Sequence, residues 1–287
     1  MRSNPSARPK PFEPVMFTDS HCHLTMPELA HDLPAVRAAM TAAQVTRALC
    51  ISTSMEEFPQ VRDLAQRFDG IWASVGVHPD HEDGHEPTED ELVAAAAAPR
   101  VIAIGETGLD YYQMEQRKGG RAVADLDWQR ARFRTHIRAA RRAGKPLVIH
   151  TRAAAGDTLG ILREEGVGQG GGAWDKAPGV FHCFAESAAV AQAALDMGFY
   201  LSFSGIVTFK NARELQDVAR AAPLDRILIE TDAPWLAPVP MRGKINSPAY
   251  VPYVAVKLAE LRGATPEEIG NITSANFDAL FLARNSL

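Results

Sequence analysis

Eight short apolar runs rich in β-branched residues, each followed by a stretch of helical periodicity, restrict how this chain can fold more than any other feature of its sequence. The runs occupy residues 15–18, 48–52, 71–77, 101–105, 146–149, 180–181, 199–203 and 226–229. A strand that is followed by a helix and then by another strand re-enters the sheet from the same end, so the strands are parallel and the helices cover them. Eight such units are the number that closes a barrel. A chain of 287 residues, 46% of them hydrophobic, can fill that core as one domain. The expected fold is therefore α/β: a single-domain (β/α)8 barrel of the TIM type over residues 15–287, preceded by a disordered tail at 1–14.

Helix punctuation agrees with this count. Ser54 and Glu57, Thr88 and Glu91, and Thr265 and Glu268 have the spacing of capping boxes, and Pro266 suits a first helical turn. Ser187 is placed to open, and Gly198 to close, the helix between the sixth and seventh runs. Val61, Leu64, Ala65 and Phe68 form one apolar stripe, and Phe133, Ile137 and Ala140 another, as outer helices need. Two stretches break the rhythm: 113–125 is polar, and 166–179, with Gly168, Gly170, Gly171 and Gly172, reads as a flexible insertion.

Composition narrows the partners. The formal charge of −5 gives no overall basic field, so a polyanion would have to be held by a local site. No apolar run approaches the ~20 residues of a membrane span. The tail has Arg2, Arg8 and Lys10 but no apolar segment of a signal peptide. Three cysteines, two of them beside histidines, do not make a disulfide framework, which points to a reducing, cytoplasmic setting.

Catalytic groups of such barrels lie where strands end. The first run leads into His21 and His23, which share one face of an extended chain while Cys22 takes the other. The fourth leads to Glu106, the fifth to His150, the sixth to His182 and the eighth to Asp232. Four imidazoles and two carboxylates on one rim exceed the needs of a single four-coordinate ion, and a carboxylate can bridge two. A centre of two divalent metal ions is expected, with zinc, manganese, cobalt, iron or magnesium as the candidates.

These residues stand in stretches that resemble the TatD family of metal-dependent deoxyribonucleases, within the amidohydrolase-like metallohydrolases. The resemblance rests on residues 19–24 (DSHCHL), 76–79 (GVHP), 105–112 (GETGLDYY), 149–152 (IHTR), 182–184 (HCF), 202–212 (SFSGIVTFKNA) and 230–236 (ETDAPWL). It implies that His21, His23 and Asp232 hold one metal and His150 and His182 the other, with Glu106 bridging. It also implies that Asp232 accepts a proton from the attacking water, that DNA is the substrate, as a single strand or an end, and that His78 contacts a phosphate. The strand count sets Arg152, Lys210, Arg242 and Lys244 on the same rim as substrate-binding cations.

Other polar residues receive supporting or bland roles. Asp19 and Glu230 are expected to orient ligands or fill the interior, and Cys22 and Cys183 to pack away from the metals. Arg130, Arg134, Arg138 and Arg141 read as a solvated helix face, and His31, His81, His85 and His136 as residues off the site. The chain departs from the family pattern at Ile245 and Ser247, where an Arg and a Glu are usual, and Glu186 adds an acid near the rim. Two rivals accompany the nuclease reading: an amide, ester or lactone hydrolase using the same two metals, and a barrel kept as a binding or scaffold protein.

Overall fold

The structure, a computed structural model, describes residues 16–112, 122–169 and 178–283. The tail expected at 1–14, residues 113–121 of the stretch 113–125 and residues 170–177 of the stretch 166–179 lie outside the described residues. Eight parallel strands form one sheet in chain order: β1 (Phe17–Cys22), β2 (Val45–Cys50), β3 (Ile71–Val75), β4 (Val101–Asp110), β5 (Leu147–Arg152), β6 (Gly179–Phe181), β7 (Tyr200–Phe203) and β8 (Ile227–Ile229). The segment after β8 returns to β1: His23 N donates to the Ala233 carbonyl at 2.8 Å and Asp232 N to that of His21 at 3.0 Å. These bonds bring the two edges of the sheet together, as a barrel requires.

Helices α1 (Pro27–Ala30), α2 (Leu33–Ala42), α3 (Phe58–Arg67), α4 (Glu89–Ala96), α5 (Asp127–Ala143), α6 (Ala155–Glu164), α7 (Ala188–Asp196), α8 (Arg213–Ala221), α9 (Val251–Arg262) and α10 (Pro266–Phe277) fill the connections. Thr88 and Thr265 close full capping boxes on α4 and α10, and Ser187 caps α7. Ser54 and Glu57 behave differently from their spacing. Ser54 Oγ does accept from Glu57 N, but the Glu57 carboxylate bonds Thr53 N at 3.0 Å and Thr25 Oγ1 at 2.5 Å. It therefore ties the β1 and β2 loops together, and α3 starts one residue later.

Period-two alternation divides the core into two layers. Leu147, Ile149, Phe181, Leu201, Phe203, Ile227 and Ile229 pack outward beneath the helices. Val148, Val180, Tyr200 and Leu228 point inward, join Leu49 and Ile102, and are plugged by Phe277, Leu280 and Phe281 from the end of α10 and the turn after it. Two residues beyond an inward apolar side chain the alternation returns to the same face. Val148 is thus followed by His150, Val180 by His182 and Leu228 by Glu230. The barrel interior is apolar at its lower end and carries the ionisable groups at its upper end.

The arginine stripe of α5 is not merely solvated, which corrects the sequence reading. Arg134 and Arg138 both reach Glu165 beyond α6, at 3.3 and 2.8 Å, Arg134 also pairs with Glu164, and Arg141 donates to the Glu165 carbonyl. Arg130 bonds Asp127 at 2.9 Å and Asp157 of α6 at 3.2 Å. The helix faces outward, but adjacent acids clamp it to its neighbour.

Candidate metal centre

β4 continues past the expected end at residue 105 as far as Asp110, and this extension builds the floor of the site. Gly108 allows it: its φ is +136°, and a Cβ there would overlap the His150 carbonyl oxygen of β5. With the two backbones this close, Glu106 and Asp110 meet His150 from the same side. His150 Nδ1 lies 3.1 Å from Glu106 Oε1 and its Nε2 3.2 Å from Asp110 Oδ2.

Glu106 is the centre of the cluster. Its carboxylate stands 3.4 Å from His21 Nε2, 3.9 Å from His23 Nε2, 3.4 Å from His78 Nε2 and 2.8 Å from His182 Nε2. His21 and His23 point their Nε2 atoms at each other, 3.1 Å apart, and at Asp232 Oδ1, 3.5 and 3.4 Å away. Asp232 takes a positive φ of 57°, a conformation open to aspartate at modest cost, and so turns back toward β1. Potential ligand atoms form three overlapping groups: His21, His23 and Asp232; His21, Glu106 and His182; and His78, Glu106 and His150.

Hydrogen bonds settle which nitrogens are available. His182 Nδ1 faces Glu230 Oε1 at 3.4 Å, so donation there leaves the Nε2 lone pair directed at Glu106. His78 is held the opposite way. Its Nδ1 accepts from Asp80 N at 3.0 Å, which puts the proton of the neutral ring on Nε2, as a donor and not as a ligand. Burial pushes the His78 pKa down to about 4, so the neutral ring is the relevant form.

The donor set fits divalent cations. Neutral His21 and His23 each carry a single N–H, yet both Nδ1 atoms are buried with no partner among the described residues, while both Nε2 atoms converge on carboxylates. The charge balance agrees. Burial alone would raise the Glu106 pKa, but the surrounding imidazoles hold it well below the carboxylate range. Burial likewise opposes charge on His182, which Glu106 nevertheless raises well above the usual imidazole value. Such a site favours added positive charge, and a metal ion supplies it without protons.

The cluster opens into a cavity of about 710 Å³ whose wall includes Asp110, Arg152, Cys183, Ile206 and Trp235. Of the expected substrate cations, Arg152 lines this cavity, with its guanidinium 3.8 Å from the Tyr112 ring centroid. Lys210, Arg242 and Lys244 are exposed and lie outside the lining, and Arg242 covers Phe209 at 3.9 Å. His78 lines the cavity beside the cluster. Glu186 is half-buried and accepts from Ala153 N, and burial raises its pKa.

Two readings require correction. Cys183 does not pack away from the site. β6 stops at Phe181, Cys183 has a φ of +43°, and the side chain reaches the cavity and Ser204 Oγ at 3.1 Å because strand alternation no longer applies there. His81, read as remote, also lines the cavity, since the turn that bonds His81 N to the His78 carbonyl carries it back. Cys22 does face away, buried against the Leu49 carbonyl. Asp19 bonds Thr231 N at 2.9 Å and Thr231 Oγ1 at 2.5 Å, so it fastens β8 to β1 and touches no imidazole ring; burial raises its pKa to about 8.

Asp110, Trp235, Arg132 and Asn246 had no role assigned from sequence. Asp110 was legible by parity, since residues 106, 108 and 110 share a face once the strand is known to continue. Arg132 and His136 lie on the buried i, i+4 face of α5. Arg132 donates to the His78 carbonyl at 2.7 Å and His136 accepts from Val77 N at 3.1 Å, so both hold the His78 turn.

Comparison with known proteins agrees with this geometry. A family model described as TatD related DNase matches residues 18–282. An uncharacterized metal-dependent hydrolase, YcfH, of Escherichia coli strain K12 is 44% identical over 93% of this chain and 96% of that protein. A 3'-5' ssDNA/RNA exonuclease, TatD, of Citrobacter koseri is 32% identical over 92% of this chain and 98% of that protein. Among solved structures, the TatD homolog YJJV of E. coli K12 superposes with a TM-score of 0.81 at 25% identity, covering 93% of this chain and 98% of that one.

Proposed function

This chain belongs to the TatD-related family of metal-dependent hydrolases, and from that premise we propose that it cleaves phosphodiester bonds of nucleic acid, removing nucleotides from a strand end, with two divalent ions held around Glu106. The observation that carries the reading is the convergence of four imidazoles, His21, His23, His150 and His182, and two carboxylates, Glu106 and Asp232, into groups that share Glu106 and His21. The name of the C. koseri relative, an exonuclease acting on single-stranded DNA and RNA, supports the substrate class.

In this reading His21, His23 and Asp232 would hold one ion and His150 and His182 the other, with Glu106 within reach of both. Ions bound there would supply Lewis acidity for the phosphoryl oxygens and would lower the pKa of a water from 15.7 toward about 7. Asp232 would take the proton of the attacking water at its other carboxylate oxygen, the one not turned to His21 and His23. Its side chain is 15% exposed against 3% for Glu106, so of the two it can better pass that proton to solvent. His78, fixed with its proton on Nε2, donates to a phosphate oxygen or to Glu106. Arg152 neutralises the backbone at the mouth.

The test combines metal content with a substrate panel: end-labelled single- and double-stranded DNA, single-stranded RNA, an ester, a cyclic amide and a lactone. The expected outcome is about two ions per chain, progressive shortening of single strands, and loss of both the second ion and the cleavage in His150→Ala. Undiminished strand cleavage after exhaustive chelation, or turnover confined to the amide or lactone, would sink the reading.

A further inference from the structure

Two flat side-chain surfaces stand on opposite sides of the cavity mouth, and none of the metal chemistry uses them. In a ring of eight strands, β1 faces β5 and β8 faces β4. Trp235 follows β8 and lies edge-on to His23, just past β1, with ring centroids 5.0 Å apart. Arg152 ends β5, and its guanidinium carbon lies over the ring of Tyr112, just past β4, 3.8 Å from the ring centroid. The donor cluster occupies the floor between them.

Trp235 is unusual in being 46% exposed in a wall of the cavity. Its main chain is not loose. Asn246, itself buried, donates from Nδ2 to the Trp235 carbonyl at 2.5 Å and to that of Thr231 at 2.8 Å, bracketing Asp232. A backbone held in this way presents an exposed indole to the cavity. Large apolar area left in water at a rigid site is available to a ligand at little ordering cost.

We propose that Trp235 and the Arg152–Tyr112 pair are the two stacking walls that grip the planar groups on either side of the scissile phosphate, and so select a strand whose two flanking bases are unpaired and splayed apart. This rests on the nuclease reading and names the substrate feature its site recognises. Bases in a duplex stack on each other and cannot reach walls on opposite rims, whereas a single strand can turn one base to each. Stacking is tolerant of base identity, because every base has a π-face, and Arg152 adds a delocalised cation. Ile245 replaces the arginine usual in the family pattern beside Asn246, so one charge fewer serves the backbone and recognition leans further on the bases.

The experiment is equilibrium binding of the metal-loaded full chain, by fluorescence anisotropy, to a labelled hexathymidylate with uncleavable thio-substituted linkages and to the same backbone made abasic. Each stacked base contributes about 5- to 150-fold to affinity. The wild type is expected to prefer the base-bearing strand by at least about tenfold. Trp235→Ala should remove most of that preference without changing abasic affinity, while Trp235→Phe retains it. Arg152→Lys, which keeps the charge and loses the plane, should weaken the base-bearing strand more than the abasic one. Equal affinity of the wild type for both strands, or an undiminished preference in Trp235→Ala, overturns the proposal even if strands are cut. Base-dependent binding lost in Trp235→Ala, in a protein that cuts no strand, would uphold the two stacking walls as a strand-binding site and instead sink the nuclease reading.

Discussion

Glu106 lies within 4.0 Å of five imidazoles, those of His21, His23, His78, His150 and His182, while being 3% exposed, and a single side chain therefore holds the two halves of the proposed centre together. Glu106→Gln keeps its shape and removes its charge. The variant should bind metal at least about 100-fold more weakly and lose the second ion, as read by elemental analysis after dialysis, with its fold intact by circular dichroism. Retention of two ions would refute the bridging role. His136 offers an independent measurement. Burial pushes its pKa down to about 4 from an unfolded value of 6.5, with Val77 N donating to Nε2 and Nδ1 donating to the Arg132 carbonyl. Between these values the unfolded chain binds a proton that the folded chain refuses, so stability falls as pH drops from 6.5 to 4, by up to about 3 kcal/mol. Urea titrations across that range should show this slope in the wild type and a shallower one in His136→Gln.

At the scale of elements, the long β4 is what joins Glu106 and Asp110 to His150, and Gly108 is the condition for it. Gly108→Ala puts a Cβ into the His150 carbonyl at a φ of +136°. The strands must part, so the variant should lose more than about 3 kcal/mol of stability, with metal affinity falling in parallel. A native-like melting temperature and metal content would show that β4 tolerates the separation. The α5–α6 clamp is a contrasting case. Arg138 is 48% exposed, and its bonds to Glu165 are of the surface kind, so Arg138→Ala should cost less than about 1 kcal/mol in denaturant titrations.

For the molecule as a whole, a net charge of −5 leaves strand binding to a few local cations. If Arg152, Lys210, Arg242 and Lys244 all meet phosphates, the logarithm of affinity should fall with the logarithm of salt concentration with a slope no steeper than about −3, at ~0.7 per phosphate. A steeper slope would reveal a basic surface not identified among these four. Three of the four stand outside the cavity, so Arg152→Ala should matter most for a short strand and Lys244→Ala only for a longer one. Among the described residues no helix is long and apolar enough to cross a membrane.

Much of this architecture follows from the chain alone, because local periodicity is written in consecutive residues. Eight apolar runs specify parallel strands, and alternation along each places His21 with His23 and sends His150 and His182 inward above Val148 and Val180. The motifs around them suffice for the family. Where strands stop is decided elsewhere: β4 runs on to Asp110 because β5 accepts it at Gly108, and β6 ends before Cys183 because the chain turns there. Such bounds depend on cross-strand contacts that no single segment contains. The same holds for the tautomer of His78, set by Asp80 N, and for the placing of Trp235 opposite Arg152, residues 83 positions apart that only closure of the barrel brings to face one another across a single cavity.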